Sequence, residues 1–260
     1  MLQRIVTSIL FVPAVLLIVW AHPLLTRLGL LAVALICLRE MQVMFRNMEL
    51  NMWLPAPVLL AIVNFAWPQW GPVVFFASFM LMVIIVTMRA CLQYPRISLT
   101  ELMAQIFMGV YPLMFLVCAL DLRQQPLGAE AMTLGFLLTW AFDTCAYLGG
   151  IRYGRHFLFP ELSPKKSGEG LAFGTVGTLL VALIIHRFYP VVLPSRVLLI
   201  TLGVAIMAPF GDLAESMIKR QCGVKDSGHS LPGHGGFLDR FDAFFFVSVW
   251  IRAVYFLGGM

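Results

Sequence analysis

The sequence predicts an all-α, polytopic integral membrane protein with about nine transmembrane helices. Of its 260 residues 60% are hydrophobic and 12% charged, at a mean hydropathy of +0.89, whereas a soluble domain carries about 25% charged residues. Apolar runs recur along the whole chain, separated by charge or proline. At about 20 apolar residues per crossing, spans and loops use up a chain of this length, so no extramembrane domain is expected.

In order, the runs fall near 5–21, 25–45, 53–68, 71–90, 102–120, 130–150, 171–188, 194–218 and 239–258. The first follows Arg4 and could be taken for a secretory leader, but it holds Pro13 and a second run follows at once, which suits a retained helix. The third is short and flanked by Pro55, Pro57 and Pro68, so a tilted, kinked or re-entrant segment is expected there. Pro112 and Pro209 should kink the fifth and eighth spans. The five cysteines are scattered singly, four of them inside apolar runs, and read as packing residues. With no internal repeat or heptad, the chain divides by chemistry. Residues 1–128 form an N-terminal transmembrane scaffold, dimer or lipid-contact region, and residues 129–260 a C-terminal transmembrane region that carries the catalytic chemistry.

Assigning alternate loops to one side of the membrane gives the orientation. With the N-terminus in the cytoplasm, that side receives Arg4, Arg39, Arg46, Arg89, Arg96, Arg152, Arg155, Lys165, Lys166, Lys219, Arg220, Lys225 and Arg240, thirteen cations against five on the other. Cytoplasmic loops collect Lys and Arg, so nine crossings with the C-terminus outside are predicted. The two longest polar loops, 151–170 and 219–238, then share the cytoplasmic face.

Charge inside the oil marks the chemistry. Asp212, Glu215, Ser216 and Lys219 fall at i, i+3, i+4 and i+7 on one helical face. A carboxylate in a span costs about 2.5–3.5 kcal/mol on insertion scales, so it needs a partner or a wet cavity. Two readings stand: a Glu215–Lys219 ion pair that joins helices, or a metal-ligand face. Asp239 and Asp242 share a face at the start of the last helix, either as dipole partners or as ligands of Mg²⁺, which takes hard carboxylate and phosphate oxygens. His234, in the turn Pro232-Gly233-His234-Gly235-Gly236, suits phosphate binding or turn stabilisation better than proton transfer. Asp143 has Tyr147 one turn on, and is either a buried hydrogen-bonded acid or a site residue. Lys165 and Lys166, in Ser163-Pro164-Lys165-Lys166-Ser167, are either lipid-headgroup contacts or phosphate ligands.

Ser216, Lys219-Arg220, Lys225-Asp226, Gly228, Leu231-Pro232, His234-Gly235-Gly236, Asp239-Arg240 and Asp242 closely resemble the signature of the phosphatidate cytidylyltransferase (CDP-diglyceride synthetase) family. Ser163-Pro164-Lys165-Lys166 resembles that family's second block. There the chain departs from the pattern, with Ser167 in place of the usual Thr, Gly168 in place of a bulky aromatic residue, and Ala172-Phe173 or Gly174-Thr175 where a Gly-Gly pair is usual.

The resemblance implies cytidylyl transfer from CTP to phosphatidate, giving CDP-diacylglycerol and pyrophosphate in phospholipid biosynthesis. It implies Mg²⁺ on Asp212, Asp239 and Asp242, and a monovalent cation such as K⁺. The catalytic residues it implies are Asp212, Asp239, Lys219, Lys225 and His234. Substrate contacts would come from Asp143, Ser163, Lys165, Lys166, Ser216, Arg220, Gly235, Gly236 and Arg240. A homodimer among membrane lipids, in a bacterial inner membrane with the site facing the cytoplasm and no nucleic-acid partner, completes the expectation. Two rivals remain: a nucleotidyltransferase for another lipid phosphate, and a transporter using the intramembrane Asp212 and Asp143. No GxxxxGK[ST], H-E-x-x-H or G-x-S-x-G motif is present, which leaves P-loop, zinc-protease and serine-hydrolase chemistry unsupported.

Overall fold

The computed structural model describes residues 2–67, 71–188, 194–230 and 235–257. Among them run nine α-helices: α1 (Leu2–Trp20), α2 (Pro23–Arg46), α3 (Pro55–Ala66), α4 (Gly71–Leu92), α5 (Leu99–Gln124), α6 (Gly128–Tyr153), α7 (Gly168–Phe188), α8 (Pro194–Gln221) and α9 (Leu238–Leu257). Each predicted run contains one. The protein is an all-α polytopic membrane protein, with six described helices that are long and apolar enough to cross a bilayer. The short third run is α3, whose 12 residues rise about 18 Å, less than the hydrocarbon core of about 30 Å. Pro13, Pro112 and Pro209 all lie within helices.

One feature of the loop between α6 and α7 differs from the all-helical expectation. Phe157–Phe159 (β1) and Ser163–Ser167 (β2) pair antiparallel, with an irregular register. Pro164, second in β2, has no N–H to give to the ladder.

The chain forms two compact units. The first comprises the residues up to Gln124 together with Gln221–Arg240; the second comprises Gln125–Arg220 and the residues from Phe241 onward. The segment 221–240 clusters with the N-terminal helices.

Within the first unit the helices alternate in direction, as side-chain contacts at their ends show. Arg123, at the end of α5, donates to Val19 O (2.8 Å) and Ala21 O (3.3 Å) in the α1–α2 turn. At the opposite end, Gln105 near the start of α5 holds the backbone of Trp53 through N–H to Oε1 (2.6 Å) and Nε2 to O (2.7 Å). Arg89 from the end of α4 lies 5.2 Å over the Trp53 ring, while Gln42 Nε2 from α2 donates to Met52 O at 2.8 Å. Asn64 bridges α3 to Ser78 of α4 (2.9 Å). Val73, Phe76, Met80, Ile84 and Met88 of α4 are exposed at helical spacing, a stripe that suits lipid contact.

In the second unit α6 and α7 pack closely because small residues sit at their crossing. A Cβ on Gly174 would stand 2.8 Å from the Phe142 ring, and one on Gly170 would stand 2.9 Å from Ala146 O. Phe136 of α6 stacks on Phe244 of α9 with centroids 3.7 Å apart, and Trp250 Nε1 donates to Leu199 O of α8 (3.0 Å). The Tyr255 hydroxyl, near the end of α9, reaches Leu127 O at the start of α6 (3.4 Å). These helices also alternate, so the end of α6, the start of α7 and the end of α8 share one side.

Candidate active site

The second unit contains a cavity of about 560 Å³ with two kinds of wall. Asp143, Ser163, Lys165, Lys166 and Asp212 give it polar groups, while Phe142, Leu158, Phe159, Ile206, Phe210 and Leu213 make it apolar. Four sequence-predicted residues from α6 and the α6–α7 loop, Asp143, Ser163, Lys165 and Lys166, are thereby joined to Asp212. Asp143 is exposed rather than buried. Ser167 is buried and its hydroxyl accepts from Gly170 N (3.1 Å), capping the start of α7. The departure from Thr at this position thus keeps the hydroxyl where a cap needs one. At Gly168 the nearest groups to a would-be Cβ are Leu158 and the His156 carbonyl, 3.8 and 3.9 Å away.

Lys166 spans the cavity wall. Its Nζ lies 2.8 Å from Asp212 Oδ2 and donates to Pro209 O at 2.9 Å. Both partners of the ion pair are partly solvated, at 23% and 39% side-chain exposure, and such a pair contributes only about 0–1 kcal/mol. An arriving anion or metal ion can therefore take either partner at small cost.

Next to this pair, α8 and α9 meet backbone to backbone. A Cβ at Gly211 would fall 2.5 Å from Asp242 O and 2.9 Å from Ala243 Cα, so only glycine allows the approach that sets the backbone of Asp242 against the residue before Asp212. Ser216 Oγ lies 3.4 Å from Asp212 Oδ1. Glu215 is fully buried, with Lys219 Nζ 3.4 Å from its Oε1. Of the two readings of this helix face, the structure shows the Glu215–Lys219 ion pair, made within α8. Arg220 is exposed at the end of α8.

In the first unit, the segment after α8 carries Lys225 and Asp226 on its exposed surface. Asp239 Oδ2 accepts from Ser227 N (2.9 Å), Ser227 Oγ (2.9 Å) and Gly236 N (2.8 Å), folding the segment onto the first turn of α9. Gly235 has φ +80°, a left-handed conformation that favours glycine. Arg240 is exposed. His234 lies outside the described residues.

A residue the sequence reading missed completes this segment. Glu40 of α2 is 5% exposed. Its Oε1 accepts from Ser230 Oγ (2.6 Å) and Phe237 N (2.9 Å), and its Oε2 from Leu238 N (2.9 Å), with Ser227 Oγ at 3.2 Å. Its signal in the sequence was a lone acid within the second apolar run.

Among the described residues no group of three or more His, Cys, Asp or Glu side chains forms a cage. A nucleotide-bound Mg²⁺ requires less, since it takes one or two carboxylates and completes its octahedron with phosphate oxygens and water. Asp212, on the cavity wall, supplies a hard carboxylate oxygen of that kind.

Comparison with known proteins agrees with this chemistry. A family model described as "Cytidylyltransferase family" matches residues 2–257. A phosphatidate cytidylyltransferase of Staphylococcus epidermidis is 34% identical over 258 residues, covering 95% of this chain and 94% of that one. One from Staphylococcus aureus is 36% identical over 226 residues, or 82% and 83% of the two chains. A third, from Staphylococcus saprophyticus, is 45% identical over 121 residues, covering 46% of each.

Proposed function

We infer that this chain, which belongs to the cytidylyltransferase family, transfers the cytidylyl group of CTP to phosphatidate. It is a nucleotidyltransferase of phospholipid biosynthesis, and its products are CDP-diacylglycerol and pyrophosphate. A phosphate oxygen of phosphatidate forms the new bond to the α-phosphorus of CTP, and the bond to the oxygen bridging the α- and β-phosphorus breaks. That oxygen leaves with pyrophosphate. The observation that carries this reading is the cavity in which two lysines and two aspartates meet an apolar wall, since the lipid substrate has a charged head and an apolar body.

Phosphate monoester oxygen is already anionic, so the protein's work is positioning and charge stabilisation. Lys165 and Lys166 hold phosphate oxygens. Lys166 exchanges Asp212 for substrate, which frees that carboxylate for Mg²⁺. Asp212 and Asp242 would hold the ion, and the family resemblance adds Asp239, three residues before Asp242 in the sequence, as a further ligand. When bound, Mg²⁺ neutralises charge that develops on the triphosphate. Lys225, Arg220 and Arg240 are surface cations for the incoming nucleotide, His234 and Gly235-Gly236 bind phosphate, and Asp143 and Ser163 orient substrate. Acyl chains lie along Phe142, Ile206 and Phe210. K⁺ as a second cation and a homodimer belong to the same reading.

The site faces the cytoplasm of a bacterial inner membrane in this proposal, on the strength of the cation bias. Cysteines introduced at Lys165 and Lys225 in a Cys-free background should resist an impermeant maleimide added outside intact cells. External labelling at either would reject the orientation. The reaction itself is tested by incubating purified protein in detergent with labelled CTP and phosphatidate, with and without Mg²⁺. Labelled CDP-diacylglycerol in the presence of Mg²⁺ is expected. Transfer to another lipid phosphate alone would reject phosphatidate as the acceptor, and no transfer at all would favour a transporter.

A further inference from the structure

We propose that Glu40, on the second helix of the chain, is a positioning residue for cytidylyl transfer. It clamps Ser227, Ser230 and the start of α9 from inside the protein and so sets where Asp239 stands. The proposal rests on the reaction assigned above, since it concerns the segment given to the nucleotide there.

The geometry is that of a socket built for one carboxylate. Four donors converge on two oxygens, two per oxygen, at 2.6 to 3.2 Å. None is a cation, so the contact is directional rather than a mere charge pair. Two of the donors, Phe237 N and Leu238 N, are backbone groups at the N-terminus of α9, which have no partner within the helix. A carboxylate there also meets the positive end of the helix dipole. Glu40 thus caps a helix from nearly 200 residues away in sequence, the work a neighbouring Ser or Asp usually performs.

The glycines of the segment fit the same purpose. A Cβ at Gly228 would stand 2.9 Å from Glu40 Oε1, and one at Gly236 would collide with Glu40 Oε2 and Ser227 Oγ. Both positions therefore have room for the carboxylate only as glycine. Ser227 couples Glu40 to Asp239. Its hydroxyl lies 3.2 Å from Glu40 Oε2 and 2.9 Å from Asp239 Oδ2, but one hydroxyl proton can serve only one acceptor at a time. Its backbone N–H is committed to Asp239. Displacing Glu40 shifts Ser227, Gly236 and the helix start together, and Asp239 is attached to all three.

The test is Glu40→Gln, which keeps the size but turns an NH₂ toward two of the four donors, one of which is a backbone N–H that cannot reverse. In detergent-purified protein kcat should fall about a hundredfold, the cost of a misplacement near 1 Å, while KM for CTP and for phosphatidate changes little. Trypsin should also cut after Lys225 faster than in the wild type, a readout that needs no reaction. Glu40→Asp, with the charge kept, should recover part of kcat. Ser230→Ala removes one donor from the socket and should give a smaller loss of kcat and faster cleavage, with no added loss in the double variant Glu40→Gln/Ser230→Ala. Wild-type kcat or wild-type cleavage in Glu40→Gln would overturn the proposal. Should that variant fail to fold, Ser230→Ala with both readouts unchanged would overturn it instead. If wild-type protein transfers no cytidylyl group the assigned reaction fails, and the trypsin comparison still decides whether Glu40 holds the segment.

Discussion

The carboxylates of the two units are held in opposite ways. Glu40 and Asp239 of the first unit accept from neutral hydroxyl and backbone donors, with Glu40 almost fully buried. Asp212 of the second unit is paired with a partly solvated lysine at the wall of a cavity. Neutral donors in a dry setting cannot be replaced by water or substrate without leaving buried groups unpaired, so the first arrangement fixes geometry. A wet ion pair can be exchanged for phosphate or a metal ion, and the second arrangement leaves room for chemistry. The difference predicts that substitutions at the first unit's carboxylates cost stability along with activity, whereas those at the cavity cost activity alone.

The largest effect expected from the first unit is that of Asp239→Asn. Losing a proposed metal ligand should lower turnover roughly a thousandfold. Because Oδ2 accepts from Ser227 and Gly236, unfolding stability should fall too, by about 1–3 kcal/mol. Thermal melting beside CTP turnover measures both, and an unchanged melting temperature would erase the contrast.

Lys166→Ala comes next. It removes a partly solvated pair worth about 0–1 kcal/mol, so melting should barely move, while kcat falls by about tenfold or more, a factor of ten being about 1.4 kcal/mol of barrier. Simple attraction to headgroups is screened by salt, so activity equal to the wild type at moderate ionic strength would reduce this lysine to a membrane contact.

The smallest effect on turnover belongs to Asn64→Ala, in the first unit and away from the segment 221–240. It removes bonds to Leu60 O and Ser78 Oγ and should cost about 0.6–2 kcal/mol of stability, with kcat unchanged. A large loss of kcat at full stability would show that the first unit contributes more than a frame.

Much of this was legible in the sequence because membrane helices announce themselves. A run such as 71–90 has no alternative but to be a helix where backbone groups find no water, and Gly71–Leu92 is one. The polar residues of the cavity were legible for complementary reasons, since Asp143 and Asp212 interrupt apolar sequence at a cost that needs a cause and Lys165 and Lys166 stand side by side in a polar loop. The hairpin Phe157–Ser167 was not, because Phe157-Leu158-Phe159 has no alternation and its partner strand carries Pro164. Glu40 was hidden by distance. Next to Arg39 near a helix end it resembles an ordinary interfacial charge, and its four donors lie 187 to 198 residues downstream. Helical spacing finds Asp212 and Ser216 on one face, but no local pattern pairs α2 with the start of α9.

The most direct test of the account is a Mg²⁺ titration of cytidylyl transfer by Asp212→Asn in detergent, with thermal melting as the control for folding. The cavity reading predicts a loss of about a thousandfold at saturating CTP, a higher Mg²⁺ requirement for the residual activity, and a melting temperature close to that of the wild type. Wild-type turnover with an unchanged Mg²⁺ response would contradict it.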